Sequence, residues 1–412
     1  MYTHVEGGDI MIVRFSFQNY RSYKNETTFD FQAASIPEFD ETLIKRDKVS
    51  DLLPVSVVYG PNGGGKSNLL KGLSYLISVV TRPIFRLEKN RTAIFQQYLL
   101  NCSPFLFDEK SSQKPSEFDL YFRTEKNEFH YYLSIRDGMI VDECLYRRAY
   151  SGKKTAMIFE RSGDAIELGA GIRSKSINIQ VNPKMPYLSF LAINYDIDVI
   201  AEVQEWFESC IIRNFANPQA EQRVFLPQEE ESQKLLVDVM NEMDIRISGF
   251  RMDEEHDHLY LQREINGREF ELDFNDESAG TQKMFTLMPL IMRALSKGSL
   301  VVLDEMDAKL HPKLLRYIIS QFKNPESNPY GAQLIYTSHD LTTMNHNVFR
   351  RDEIWFAAIN EQRESEIYSL YDFRTEDGSH VNQTASFSKQ YLEGRYGADP
   401  YLRNMLQWGD QT

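Results

Sequence analysis

Cysteine is scarce in this chain of 412 residues, which holds Cys102, Cys144 and Cys210 alone. They lie far apart and form no CxxC pair, which argues against a disulfide framework and against a zinc ribbon. Long hydrophobic runs are missing too, since no stretch approaches the roughly 18 to 20 apolar residues that a membrane span needs. We therefore expect a cytoplasmic protein without a membrane segment.

Positive charge is in deficit, and the formal net charge is -14 at pH 7. A surface of that sign repels a polyanion, which argues against a protein coated for non-specific binding to nucleic acid. A local basic patch would still permit such binding. Hydrophobic residues make up 42% of the chain and charged residues 26%, so there is enough apolar material for a sizeable globular core.

Hydrophobic periodicity divides the chain into three parts. Apolar and polar residues alternate repeatedly through 117–162, which predicts antiparallel strands in an N-terminal lobe over 11–164. Helical spacing and many carboxylates through 190–245 predict an inserted helical subdomain over 165–250. A C-terminal lobe then spans 251–412.

A glycine-rich segment fits the pattern of a glycine, four residues, and glycine-lysine-serine. Its residues are Gly60, Pro61, Asn62, Gly63, Gly64, Gly65, Lys66 and Ser67, and Asn68 follows them. An apolar run at 55–59 predicts a buried strand before it, and helical spacing over 67–81 predicts a helix after it, the context that a P-loop requires. Such a loop wraps a nucleoside phosphate, while Lys66 reaches the outer phosphates and Ser67 binds Mg²⁺. The alternative is a glycine-rich turn before a helix.

Two further apolar strands end in groups that suit phosphoryl transfer. One precedes Asp304 and Glu305, so that Asp304 would join the Mg²⁺ shell and Glu305 would orient or deprotonate the attacking water. The other, at 333–338, ends in His339. Acidic residues and lone histidines at strand ends are common in other settings. Together with the P-loop, the acidic pair predicts Glu305 and Lys66 as catalytic groups, and the place of His339 directly after a buried strand favours a functional role for it.

The segment ESAGTQ, at 277–282, precedes an apolar helix predicted over 281–295. A helix N-terminus offers free amides and the positive end of a dipole, and the Ser278 hydroxyl adds a polar group that can meet a phosphate. The alternative is that the segment only caps the helix.

The order P-loop, ESAGTQ, VVLDEMDAKLHP and IYTSHD resembles the ABC-type ATPase heads of the SMC and overcoming-lysogenisation-defect classes over most of the chain. Ser278, Ala279, Gly280 and Gln282 stand where such heads place their serine-glycine-glycine-glutamine signature, with Thr281 as an extra or substituted position. The resemblance implies an α/β fold, a P-loop NTPase of the ABC/SMC-head type. It implies that His339 is a catalytic switch histidine near the γ-phosphate. It also implies ATP and Mg²⁺ as cofactors and a nucleotide site completed by the signature of a second subunit, hence at least a homodimer.

Two shorter segments extend the resemblance. NYRSY, at 19–23, is similar to the opening of SMC-like heads, where a basic residue and a serine approach the nucleotide; Arg21 and Ser22 then bind the cofactor. The alternative there is a polar hairpin with solvated side chains. YLEGRYGADP, at 391–400, resembles the tail of bacterial stand-alone ATPases that occur beside effector genes in anti-phage systems.

The resemblance implies an ATP-hydrolysing molecular switch that controls a separate effector protein, such as a nuclease, in anti-phage defence. The alternative is an SMC-like ATPase that binds DNA in repair or chromosome maintenance. The head contains no long heptad repeat and the net charge is negative, so a long-armed DNA clamp is disfavoured.

Overall fold

A computed structural model of the chain describes residues 10–85, 101–173, 176–214, 226–253, 256, 258–375 and 378–398. The strands in these ranges are β1 Met11–Gln18, β2 Thr27–Asp30, β3 Val55–Tyr59, β4 Ser116–Arg123, β5 Asn127–Arg136, β6 Met139–Ala149, β7 Ala156–Ser162, β8 Ala165–Leu168, β9 Ile211–Asn214, β10 Gly249–Asp253, β11 His258–Ile265, β12 Arg268–Asp273, β13 Leu300–Asp304, β14 Gln333–Thr337, β15 Ile354–Ile359 and β16 Ser365–Ser369. The helices are α1 Lys66–Phe85, α2 Glu109–Ser112, α3 Tyr187–Asn194, α4 Asp198–Ser209, α5 Glu230–Glu242, α6 Ala279–Lys297, α7 Pro312–Lys323 and α8 Phe387–Leu392.

A six-stranded sheet in the order β16-β15-β3-β14-β13-β9 lies at the centre. Its strands run parallel except for β16, which is antiparallel to β15. Every residue of β3, β13 and β14 is buried, as their continuous apolar runs predict for strands covered on both faces. Because the carboxyl ends of parallel strands meet at one edge, the segments after β3, β13 and β14 come together there.

Alternate residues of β13 enter two separate hydrophobic clusters. Leu300 and Val302 pack with α1, α3, α4 and the antiparallel strands, whereas Val301 and Leu303 pack with α5, α6 and α7. This period of two is what a strand between two layers requires. The predicted α/β fold class is therefore confirmed.

A seven-stranded antiparallel sheet, ordered β2-β1-β4-β5-β6-β7-β8, forms the N-terminal part. It contains the strands that alternation predicted through 117–162. The buried side chain of Gln333 ties this sheet to the central one: its Oε1 accepts from Ile12 N at 2.7 Å, and its Nε2 donates to Ile12 O at 3.2 Å and Leu53 O at 3.0 Å. The two sheets are thus joined next to the start of β14.

The helices predicted within 190–245 appear as α4 and α5, and a short strand that periodicity did not indicate lies between them. That strand, β9, pairs in parallel with β13 at the edge of the central sheet. A four-residue apolar run is too short for its period to separate strand from helix. The division into 11–164, 165–250 and 251–412 stays a prediction.

The hairpin of β11 and β12 turns at Asn266 and Gly267, whose φ angles are 53° and 73°. Two left-handed residues in a two-residue turn match the right-handed twist of the strands. Strand β12 ends at Asp273, four residues before the ESAGTQ segment begins at 277.

Among the described helices, none combines the length and apolar character that crossing a membrane would need.

Candidate nucleotide-binding site

The P-loop leaves β3, enters α1 and rests on the C-terminal strands β15 and β16. Gly60 and Gly65 have φ angles of 150° and 107°. A Cβ atom on Gly60 would lie 2.2 Å from the Ala357 carbonyl oxygen, and one on Gly65 would lie 2.5 Å from Ser365 Oγ. Glycine is therefore required at both positions for the loop to pack on this floor. Between them the loop runs through Pro61, Asn62, Gly63 and Gly64.

Lys66 is buried and folds back over its own loop. Its Nζ donates to Gly60 O at 2.7 Å and to Pro61 O at 3.1 Å. Burial lowers the pKa of Lys66, while the negative charge of Asp304 opposes that shift. The ammonium group is thus already placed at the mouth of the loop, where a phosphate would replace its two carbonyl partners.

Ser67 and Asp304 meet across the start of α1 and the end of β13. Ser67 Oγ donates to Asp304 Oδ1 at 3.2 Å, and Thr337 Oγ1 donates to the same oxygen at 2.7 Å. Thr337 Oγ1 also accepts from Glu305 N at 2.8 Å, which links the ends of β13 and β14. A hydroxyl and a carboxylate oxygen at this separation fit the oxygen donors that Mg²⁺ prefers.

Glu305 and His339 follow β13 and β14 at the same edge, and both side chains are exposed. Glu305 has a φ of 55°, so the chain turns sharply after Asp304. The backbone N–H of His339 donates to Asp307 Oδ2 at 3.0 Å. Partial burial lowers the pKa of His339, and the nearby Lys66 ammonium lowers it further, which favours a neutral ring at pH 7.

The structure separates the two predicted residues of the NYRSY segment. Ser22 Oγ accepts from Asn68 Nδ2 at 2.9 Å, so Ser22 lies beside the first turn of α1. Arg21 instead donates from Nε to the hydroxyl of Tyr20 at 3.1 Å, and its guanidinium lies 5.5 Å from the centre of that ring. Of the two, Ser22 contacts the P-loop helix and Arg21 is held by Tyr20.

The signature segment begins α6. Ser278 caps the helix, because its Oγ accepts from Thr281 N at 3.1 Å, and both Ser278 and Ala279 are exposed. Gln282 is buried, and its Nε2 donates to Phe274 O at 2.8 Å and Asn275 O at 3.1 Å. Within the described ranges, no hydrogen bond joins Ser278, Ala279, Gly280 or Gln282 to the P-loop. Within one chain, these contacts show that Ser278 caps α6.

Two cationic residues lie near the site that the sequence did not predict there. Arg213, near the end of β9, lines a cavity of about 180 Å³ together with Ser67 and Asp304. Lys283, fully buried in the first part of α6, contacts the turn that contains Glu305. Neither belongs to a motif. The pairing of β9 with β13 brings Arg213 to the site, and a tertiary contact of α6 brings Lys283 there. No local sequence pattern predicts the position of either residue.

No curated protein matches the chain. Solved structures that resemble the chain include two SMC heads. One is an SMC head bound to the C-winged helix domain of ScpA, with 12% identity over 87% of this chain and 97% of that chain and a TM-score of 0.40. Another is the SMC head domain from Thermotoga maritima, with 14% identity over 87% of this chain and 98% of that chain and a TM-score of 0.40. Residues 55–345, which include the P-loop and His339, match one family model. The chain belongs to that family, described as "AAA domain, putative AbiEii toxin, Type IV TA system".

Proposed function

We propose that the protein is a Mg²⁺-dependent ATPase. The observation that carries the proposal is the contact of Ser67 with Asp304, 3.2 Å apart, at the mouth of a complete P-loop. These two residues would hold Mg²⁺, which when bound neutralises phosphate charge. Lys66 would exchange its carbonyl partners for the outer phosphates of ATP.

Glu305 and His339 would supply the remaining chemistry. The exposed carboxylate of Glu305 stands at the end of β13, where it would orient or deprotonate the attacking water. A neutral His339 would donate a hydrogen bond to the γ-phosphate. Catalysis of this kind rests on positioning and on charge stabilisation rather than on covalent chemistry by the protein.

A second copy of the chain would complete the site. Ser278 and Ala279 are exposed at the N-terminus of α6, and the hydrogen bonds that we describe do not join them to the P-loop of the same chain. Free amides at a helix N-terminus attract phosphate. In our proposal, Ser278, Ala279 and Gly280 of one copy close over ATP held by the P-loop of another, and the buried Gln282 fixes the start of α6 through its bonds to Phe274 O and Asn275 O. ATP would therefore hold at least a homodimer together, and hydrolysis would release it.

A separate effector protein, such as a nuclease, would respond to this cycle in anti-phage defence. The family description names a putative toxin of a toxin-antitoxin system, which supports action alongside a second gene product. The tail resemblance at 391–400 supports the defence setting; 399 and 400 lie outside the described residues. We place the partner surface on 165–250, the proposed helical subdomain.

One observation favours the second candidate, an SMC-like ATPase that binds DNA. A cavity of about 540 Å³ on the antiparallel sheet is lined by Arg14, Lys48, Arg123 and Arg148, with Glu128 as a single carboxylate among its lining residues. Arg123 is buried and bound to Glu128, so Arg14, Lys48 and Arg148 are the side chains that would meet the phosphates of DNA, despite the negative net charge of the chain.

ATP hydrolysis and oligomeric mass by light scattering test the proposal. We expect Lys66→Ala to abolish hydrolysis, Glu305→Gln to trap an ATP-bound oligomer, and Ser278→Arg to abolish both activity and assembly. Ser296→Arg is the matched control, because Ser296 is an exposed serine at the far end of the same helix. Wild-type activity in Ser278→Arg would show that the segment only caps α6. Salt-sensitive DNA binding that Arg14→Ala weakens would support the second candidate instead.

A further inference from the structure

Lys283 is a lysine with no exposed surface in the first part of α6, five residues after Ser278. Its Nζ donates to Glu305 O at 2.8 Å and to Ala308 O at 2.8 Å. Burying an ammonium group is unfavourable unless hydrogen bonds replace its water. A methionine or leucine would fill the same space without that penalty, so the two carbonyl contacts are what distinguish a lysine here.

Those two carbonyl oxygens belong to the ends of one tight turn. Ala308 N donates to Glu305 O at 3.2 Å, which closes the turn, and Lys283 Nζ binds the carbonyl oxygens at both ends. Glu305 has a φ of 55° and Lys309, just after the turn, a φ of 64°. Left-handed backbone is unfavourable for such residues, so the turn depends on contacts from outside it.

The first turn of α6 packs on the same segment at a second point. A Cβ atom on Gly280 would lie 3.3 Å from Lys309 O, a close approach that glycine leaves open. The exposed start of the signature and the backbone of Glu305 are therefore joined through Gly280 and Lys283. A displacement of α6 would be transmitted to the turn that aims the Glu305 carboxylate.

We propose that Lys283 is a positioning residue that links the signature helix to Glu305, so that nucleotide bound against Ser278 sets the orientation of the catalytic carboxylate. This inference rests on the proposed ATPase function. It adds a route by which the second subunit would control hydrolysis, and it concerns the turnover rate rather than nucleotide affinity.

The electrostatic surroundings agree with this geometry. Burial lowers the pKa of Lys283 to about 8, while the carboxylates of Asp307 and Glu305 oppose that shift and Lys309 adds to it. The ammonium is thus attracted to two acidic residues of the segment that it binds. Its hydrogen bonds, however, go to the backbone, which is the part of a turn that fixes where a side chain points.

The test measures kcat, KM and ATP affinity for Lys283→Met, Lys283→Arg and Lys323→Met. We expect Lys283→Met to lower kcat about 100-fold, because a misplaced catalytic group loses that much, while KM and affinity change less than about threefold. Lys283→Arg keeps the charge but not the donor geometry and should lose about 10-fold. Lys323→Met is the control: its ammonium is also buried and binds Val348 O at 2.9 Å and Glu353 Oε2 at 2.6 Å, away from the P-loop. It should lower the melting temperature and leave kcat unchanged.

A double substitution examines the link itself. If Lys283 carries the influence of Ser278, Ser278→Ala combined with Lys283→Met should be no slower than the slower single variant. Multiplied losses, or a Lys283→Met enzyme with wild-type kcat, would overturn the link. If Lys283→Met does not fold, Lys283→Arg decides: a lower kcat at unchanged affinity supports the link, and wild-type kcat overturns it. A wild-type protein without ATPase activity would overturn the proposed function itself.

Discussion

The P-loop region and the signature region differ in how far one chain completes them. Around the P-loop, Lys66, Ser67 and Asp304 already contact their neighbours, and strands β15 and β16 support the loop from beneath. Around the signature, Ser278 and Ala279 face outward, and Ser278 bonds within its own segment. The side chains of the first region are thus fixed by contacts within one chain, whereas the second region presents an exposed helix N-terminus.

In our proposal, the P-loop region binds the nucleotide and the signature region of a second copy controls its hydrolysis. A single chain would then bind ATP at its P-loop, but it would hydrolyse the ATP only when the signature segment of another copy completes the site. Lys283 would then connect the two regions within each chain, since it joins α6 to the Glu305 turn. Substitutions in the two regions should therefore have different consequences.

The largest expected difference concerns nucleotide affinity. Lys66→Ala should weaken ATP binding about 100-fold, because it removes the cation aimed at the outer phosphates. Ser278→Arg should change the affinity of dilute, monomeric protein less than about threefold, since Ser278 lies outside the P-loop region. Isothermal titration calorimetry with ATP and Mg²⁺ measures both. Equal losses of ATP affinity in the two variants would show that the P-loop region and the signature region contribute alike to binding by one chain.

The next effect concerns the packing beneath the P-loop. Gly60→Ala should destabilise the protein by about 3 kcal/mol, because the new Cβ atom would lie 2.2 Å from Ala357 O. Gly63→Ala is the matched control: Gly63 also has positive φ, at 80°, but a Cβ atom there meets nothing within 4 Å. It should lose about 1 kcal/mol through backbone strain alone. Urea unfolding of both variants gives the comparison, and equal losses would show that the floor is not tightly packed.

The smallest effect is a shift in a histidine titration. Since the pKa of His339 is lowered from the usual 6.5, its ring should stay neutral as the pH falls through 6.5 and gain a proton only in more acidic solution. NMR titration of the nucleotide-free protein measures this, with His339→Gln to assign the resonance. A midpoint above 6.5 would mean that Asp307 and Glu305 outweigh burial and the Lys66 charge.

Local motifs predicted the P-loop region closely. The apolar run at 55–59 is β3 to the residue, and the helix predicted from Ser67 begins at Lys66. The P-loop pattern constrains strand, loop and helix together, so one segment specifies its own structure. Strand patterns also predicted where Asp304 and His339 lie: Asp304 is the last residue of β13, and His339 lies two residues after β14.

Contacts between distant segments could not be predicted in this way. β9 has four residues, too few to show a period, and its place beside β13 depends on long-range pairing. Lys283 sits inside an apolar helix, where nothing in its neighbours reveals carbonyl partners at Glu305 and Ala308. The resemblance of NYRSY suggested that Arg21 contacts the cofactor; the structure places its guanidinium on the ring and hydroxyl of Tyr20, and the cofactor contact stays a prediction.

The most direct test of the composite site is to mix two inactive variants, Lys66→Ala and Ser278→Arg, and to measure ATP hydrolysis. A mixed dimer has one site that carries both substitutions and one site that carries neither. The mixture should then regain ATP hydrolysis that neither variant shows alone, because the site that carries neither substitution can hold ATP between the two chains. A mixture as inactive as its components, or a Ser278→Arg variant that is fully active alone, would contradict a nucleotide site shared between two copies of the chain.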